Sequence, residues 1–151
     1  MLTRRNMLAG LLATTALALT PGPSEAQGDR VMAVLNARNP TQSVSKAEMK
    51  SIYLGTTAFW HGVVPMKVYA RPVDSPAGNA LLSGVLGMNG QRFTAHWQSR
   101  ELAGQGVAPP MLHSVDDIAA QVKANPGAIG FILASEAWSA PPAGVRLVEV
   151  R

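Results

Sequence analysis

The stretch Ser114-Val115-Asp116-Asp117-Ile118-Ala119-Ala120-Gln121-Val122-Lys123-Ala124-Asn125-Pro126-Gly127-Ala128-Ile129-Gly130-Phe131-Ile132-Leu133 reads as a helix, a stop and a strand in succession. Val115, Ile118, Ala119 and Val122 fall at i, i+3, i+4 and i+7, one face of a 3.6-residue period. Ser114 supplies the N-cap, Asp116 and Asp117 suit the positive end of the helix dipole, Lys123 suits the negative end, and Pro126 enforces the stop. Ala128 to Leu133 then forms a short apolar run.

Outward from that unit, strands and helices continue to alternate. Val31 to Asn36 reads as a buried strand ending before the Asn39-Pro40 turn. Ser45 opens a helix with Glu48 three residues on as a capping box, Met49, Ile52 and Tyr53 as its apolar face, and Gly55 as its stop. Val64 to Ala70 reads as another strand, with Trp60-His61-Gly62 as a turn before it. Ser75 followed by Pro76 starts a helix whose buried face is Leu81, Leu82, Val85 and Leu86 and which Gly87 ends. A longer helix is expected over Gln91 to Ala103, with Phe93 and Trp97 four apart, then a loop from Gly104 to Pro110. Val145 to Val150 is the last strand, after the Pro-rich turn Ser139 to Gly144. This order implies an α/β domain, a mixed sheet of about four or five strands flanked by helices.

Composition narrows the function. The 151 residues contain no Cys, which excludes disulfides, Cys-based zinc sites, a thiol nucleophile and a lipidated cysteine. Residues 1–26 read as a secretory signal: Arg4 and Arg5, an uncharged stretch from Met7 to Leu19, then Ser24-Glu25-Ala26 as a cleavage pattern. Thirteen residues make a helix of ~20 Å, shorter than a hydrocarbon core of ~30 Å, so no membrane span is read there. Thr3-Arg4-Arg5-Asn6-Met7-Leu8 resembles a twin-arginine signal, although paired Arg also occurs in ordinary secretory signals. Residues 27–151 are expected as one soluble periplasmic domain. They carry 11 basic against 8 acidic side chains, with no basic cluster, so nucleic acid is not an expected partner.

Three segments in order resemble the substrate-binding proteins of phosphate ABC importers, within the type II periplasmic binding protein fold. Ile52-Tyr53-Leu54-Gly55 with Trp60 is similar to that family's Ile-Phe-Leu-Gly and following Trp. Arg71-Pro72-Val73-Asp74-Ser75-Pro76-Ala77 falls where the family has Arg-x-Asp-Gly-Ser-Gly-Thr, and Pro126-Gly127-Ala128-Ile129-Gly130-Phe131 follows its Pro-Gly-Ala-Ile-Gly-Tyr. The resemblance covers about residues 31 to 133 and implies one lobe of that fold, a small single-lobe relative. It implies a small anionic ligand such as phosphate and an ABC permease or membrane sensor as partner. The departures are that Pro76 replaces an N–H donor, Ala77 replaces the Thr hydroxyl, and Asp74 sits one position late.

Read from its residues, the 71–78 segment offers an oxyanion site. The Arg71 guanidinium, the Ser75 hydroxyl and the Ala77 and Gly78 amides would converge at a helix start, where partial positive charge favours an anion. Asp74 would accept a hydrogen bond from a protonated phosphate and repel a fully ionised anion. The alternative is that Asp74 pairs with Arg71 and Ser75 only caps the helix. Arg92, His96 and Arg100 form an i, i+4, i+8 stripe that reads as the solvated side of its helix, or as a second anion contact. His61, His96 and His113 have no metal-binding spacing, and no nucleophile elbow or nucleotide-binding glycine pattern is present, so neither a cofactor nor a catalyst is expected. Three functions stay open: a solute-binding-like protein for an ABC-type uptake system, a ligand-free interaction or sensory module of the same fold, and, a distant third, a hydrolase with a single-His base.

Overall fold

Two strands with alternating side chains organise the packing. The computed structural model describes residues 30–151; the expected signal segment, residues 1–26, lies outside the described residues. Strand β1 (Val31–Asn36) has antiparallel neighbours on both sides, β5 (Ala128–Leu133) and β6 (Val145–Glu149). At the far edge β4 (Lys67–Val68) runs parallel to β5, giving the order β4-β5-β1-β6. Because side chains alternate along a strand, Ala33, Leu35, Ile129 and Phe131 enter one hydrophobic layer, while Val34, Ala128 and Ile132 enter the other. Both faces of the sheet are thereby covered by helices.

The first layer is closed by α1 (Lys46–Tyr53), α2 (Pro76–Leu81) and α3 (Gly90–Leu102), through Met49, Tyr53, Leu81, Phe93 and Trp97. A π-helical turn, Leu82–Leu86, extends α2 and buries Leu82 and Leu86 before Gly87 leaves it at φ 68°. The second layer is closed by α4 (Val115–Ala124) through Ile118, Ala119 and Val122. A Cβ on Gly130 would lie 2.7 Å from Ile118 Cγ2, so this glycine lets α4 sit down on β5. The buried Asn36 side chain closes the other end of α4, donating to the Val122 and Lys123 carbonyls at 2.9 and 3.1 Å.

The expected strand from Val64 to Ala70 is corrected. Val64–Pro65 (β3) instead pairs with Phe59–Trp60 (β2) in a small hairpin separate from the main sheet. Its turn runs through His61 and Gly62, both at positive φ, 48° and 77°. Pro65 has no N–H to give a ladder. The next two donors diverge: the Met66 amide returns to the Ala58 carbonyl at 2.9 Å, and the Lys67 amide reaches the Gly127 carbonyl at 3.0 Å. One apolar run therefore serves two sheets. Trp60 Nε1 donates to the same Gly127 carbonyl at 3.0 Å, fixing the hairpin to the start of β5.

Candidate functional site

Arg71 lies three residues past the end of β4. Ala70 ahead of it is held between the Pro110 carbonyl and the Leu112 amide, at 2.9 and 2.8 Å. The guanidinium is 6% exposed, and its fork is filled from the far end of β5. A 3-10 turn, Ala134–Glu136, brings in the Glu136 carboxylate, which accepts from Nη1 and Nη2 at 3.1 Å each. Nη2 also donates to the His113 carbonyl at 3.3 Å. The Leu133 amide donates to Glu136 Oε2 at 2.9 Å and orients the carboxylate. Burial pushes the Glu136 carboxyl up, but the Arg71 hydrogen bonds, the Leu133 amide and the Arg71 charge outweigh it and hold the group below its ordinary value. A two-point carboxylate contact of this kind is the geometry an oxyanion ligand would use.

The other members of the expected site lie close by and are differently engaged. Asp74 does not pair with Arg71: it is exposed and borders a shallow groove with Val73, Asn89 and Gln91. Ser75 caps α2, accepting from the Gly78 amide at 3.0 Å while donating to the Pro72 carbonyl at 2.6 Å. Both of its hydrogen-bonding roles are spent inside the chain. Ala77 is 1% exposed, and Gly78 is so tightly placed that a Cβ would lie 1.9 Å from the Pro72 carbonyl oxygen. Arg71 Nε is buried and makes no hydrogen bond.

The cationic stripe on α3 departs from a solvated face. His96 Nε2 donates to the Leu54 carbonyl at 2.8 Å, and Arg100 Nη2 donates to the Gly55 and Gln105 carbonyls at 3.1 Å each. Trp97 Nε1 adds a bond to the Tyr53 carbonyl at 3.1 Å, and Arg100 lies over the Trp97 ring at 5.6 Å. Three successive carbonyls at the end of α1 are thus capped by one helix. Arg92 remains exposed. Among the described residues no group of three His, Asp or Glu is placed to hold a metal, and no helix is long and apolar enough to cross a membrane.

Solved structures share this arrangement. A phosphate ABC transporter substrate-binding protein from Clostridium perfringens, solved with bound phosphate, superposes with a TM-score of 0.59 at 20% identity, over 80% of this chain and 44% of its own. The fold is that of one lobe of a periplasmic binding protein. A possible phosphate binding protein from Planctomyces limnophilus gives a TM-score of 0.58 at 12% identity, covering 81% of this lobe's chain and 41% of its own. An ABC-type phosphate transport receptor from Vibrio cholerae gives 0.52 at 18% identity, covering 80% and 46%. The chain spans less than half the length of each. No family profile and no curated relative matches it.

The residue that sequence reasoning missed is Glu136. Its pairing with Arg71 spans 65 positions, and no local spacing signals it. The available signal was indirect: an acidic side chain just past the last residue of the strand Ala128 to Leu133, at the same sheet end as Arg71.

Proposed function

We propose that this chain is an extracytoplasmic module with a solute-binding fold that holds no free oxyanion at Arg71 and acts through its surface on a membrane partner, as an interaction or sensory module. One observation carries this reading: the Arg71 fork is already occupied by the Glu136 carboxylate, at 3.1 Å in both contacts. An incoming phosphate would have to displace a carboxylate held by two Arg71 bonds and the Leu133 amide. The fold shared with transport receptors supports a transporter or sensor as the partner, and the signal-like residues 1–26 support a periplasmic location. Titration calorimetry with phosphate and with sulfate tests it. Mature protein is expected to give no heat at about millimolar anion, a binding energy under about 4 kcal/mol, while Glu136→Ala, which frees the fork, gains phosphate binding. Saturable phosphate binding by the unaltered protein, abolished by Arg71→Met, overturns the reading.

A second reading keeps the oxyanion and requires the Glu136 carboxylate to leave, since Arg71 Nε is unpaired but covered from solvent. In that reading Arg71, Ser75, Ala77, Gly78 and Asp74 hold an oxyanion such as phosphate for an ABC-type uptake system. It requires a phosphate-dependent rise in melting temperature, because a ligand specific to the native state stabilises it.

A further inference from the structure

A cavity of 330 Å³ lies between α1 and the β2–β3 hairpin, and none of its lining residues belongs to the Arg71 site. Its volume is at the lower end of what small-molecule sites use, about 300–1,000 Å³. Trp60, Phe59 and Ile52 supply apolar and aromatic wall; Thr41, Ser51 and Glu48 supply polar groups. The wall is preorganised: Trp60 is 7% exposed and tethered through Nε1 to Gly127, and Ile52 is 3% exposed in the α1 core face.

One observation points to the charge of an occupant. Glu48 is the sole Asp, Glu, Lys or Arg in the lining, so the cavity carries one fixed negative charge. Its Oε2 accepts from the Ser45 amide at 2.7 Å, which anchors the carboxylate at the head of α1. Oε1 makes no hydrogen bond to the described residues, and the Glu48 side chain is exposed.

We propose that this cavity binds a small organic cation, an ammonium group on an apolar body. The ammonium would face Glu48 and the Phe59 ring, whose negative π face attracts cations, and the apolar body would lie against Ile52 and Trp60. An anion is disfavoured, since Glu48 is the sole Asp, Glu, Lys or Arg in the lining; His61 is the lining's other titratable group, and the Arg146 guanidinium is engaged by the Thr41 carbonyl. The inference stands apart from the Arg71 reading, and either can fail alone.

Phenethylamine is the probe, with 2-phenylethanol and 3-phenylpropionate as its neutral and anionic counterparts, followed by backbone amide NMR on the mature protein. Phenethylamine is expected to shift amides in residues 41–52 and 57–66 saturably, with the alcohol at least about tenfold weaker, roughly one charge contact at a partly wet site, and the propionate inactive. Glu48→Gln keeps an acceptor for the Ser45 amide while removing the charge, and is expected to weaken phenethylamine about tenfold without changing the alcohol. Equal binding of amine and alcohol, an amine affinity unchanged in Glu48→Gln, or no shift at about 10 mM amine, a binding energy under about 3 kcal/mol, overturns the proposal.

Discussion

The guanidinium of Arg71 and the carboxylate of Glu136, 65 residues apart in sequence, meet in two N–H···O bonds of 3.1 Å each. The pair ties the loop that leads into α2 to the turn that ends β5. Its two members are unequally buried, Arg71 at 6% exposure and Glu136 at 29%. That inequality decides which single substitution is worse.

Glu136→Ala leaves a buried cation without its counter-charge and is expected to cost about 3 kcal/mol in urea unfolding. Arg71→Met leaves a carboxylate that can reach water, and should cost less. The double variant Arg71→Met, Glu136→Leu removes both charges and should be more stable than Glu136→Ala alone, a coupling that a double-mutant cycle reads directly.

The same pair sets an acid limit. Because the folded-state pKa of Glu136 is lowered, its contribution to stability is complete above the unfolded value of about 4.3 and is lost as pH falls through the lowered value. Melting temperature followed downward from about pH 5 should therefore drop more steeply in the unaltered protein than in Glu136→Gln.

Gly78→Ala should be among the most damaging single changes. The added carbon would sit 1.9 Å from a backbone oxygen of Pro72, which the Ser75 cap holds in place. A loss of about 3 kcal/mol or more is expected, at the upper end of overpacking, because backbone and not a flexible side chain must move. Gly130→Ala meets only the Ile118 side chain at 2.7 Å and should cost less in the same denaturation assay.

Trp97→Phe keeps an aromatic body in the core but removes the N–H that caps the Tyr53 carbonyl. The expected loss is about 1–2 kcal/mol. Hydrogen exchange should locate it at the end of α1, in the amides of Leu54, Gly55 and Thr56, with α4 unchanged.

Local rules carried much of the architecture. β1 and β5 occupy the ranges that their apolar runs indicate, and Ser45, Ser75 and Ser114 cap the helices their spacing assigns. The failures are non-local. Val64 to Ala70 is one apolar run by composition, yet the bonds of Met66 and Lys67 send its halves to different sheets. His96 and Arg100 look solvated from helical periodicity alone, but the carbonyls they cap belong to another helix. Arg71 was legible as a cation just after a strand; its partner was not, because an exposed Asp three residues away is the locally obvious choice and the fold selects a Glu from beyond the end of a strand.

The carbonyl of Gly127 receives both the Trp60 indole and the Lys67 amide, each at 3.0 Å. Swinging the hairpin outward would therefore strip one of the two and loosen the other, so edge strand and hairpin open as one cooperative unit. Slow exchange at Lys67 would then serve as a clock for motion around Trp60, readable without any label on the aromatic ring.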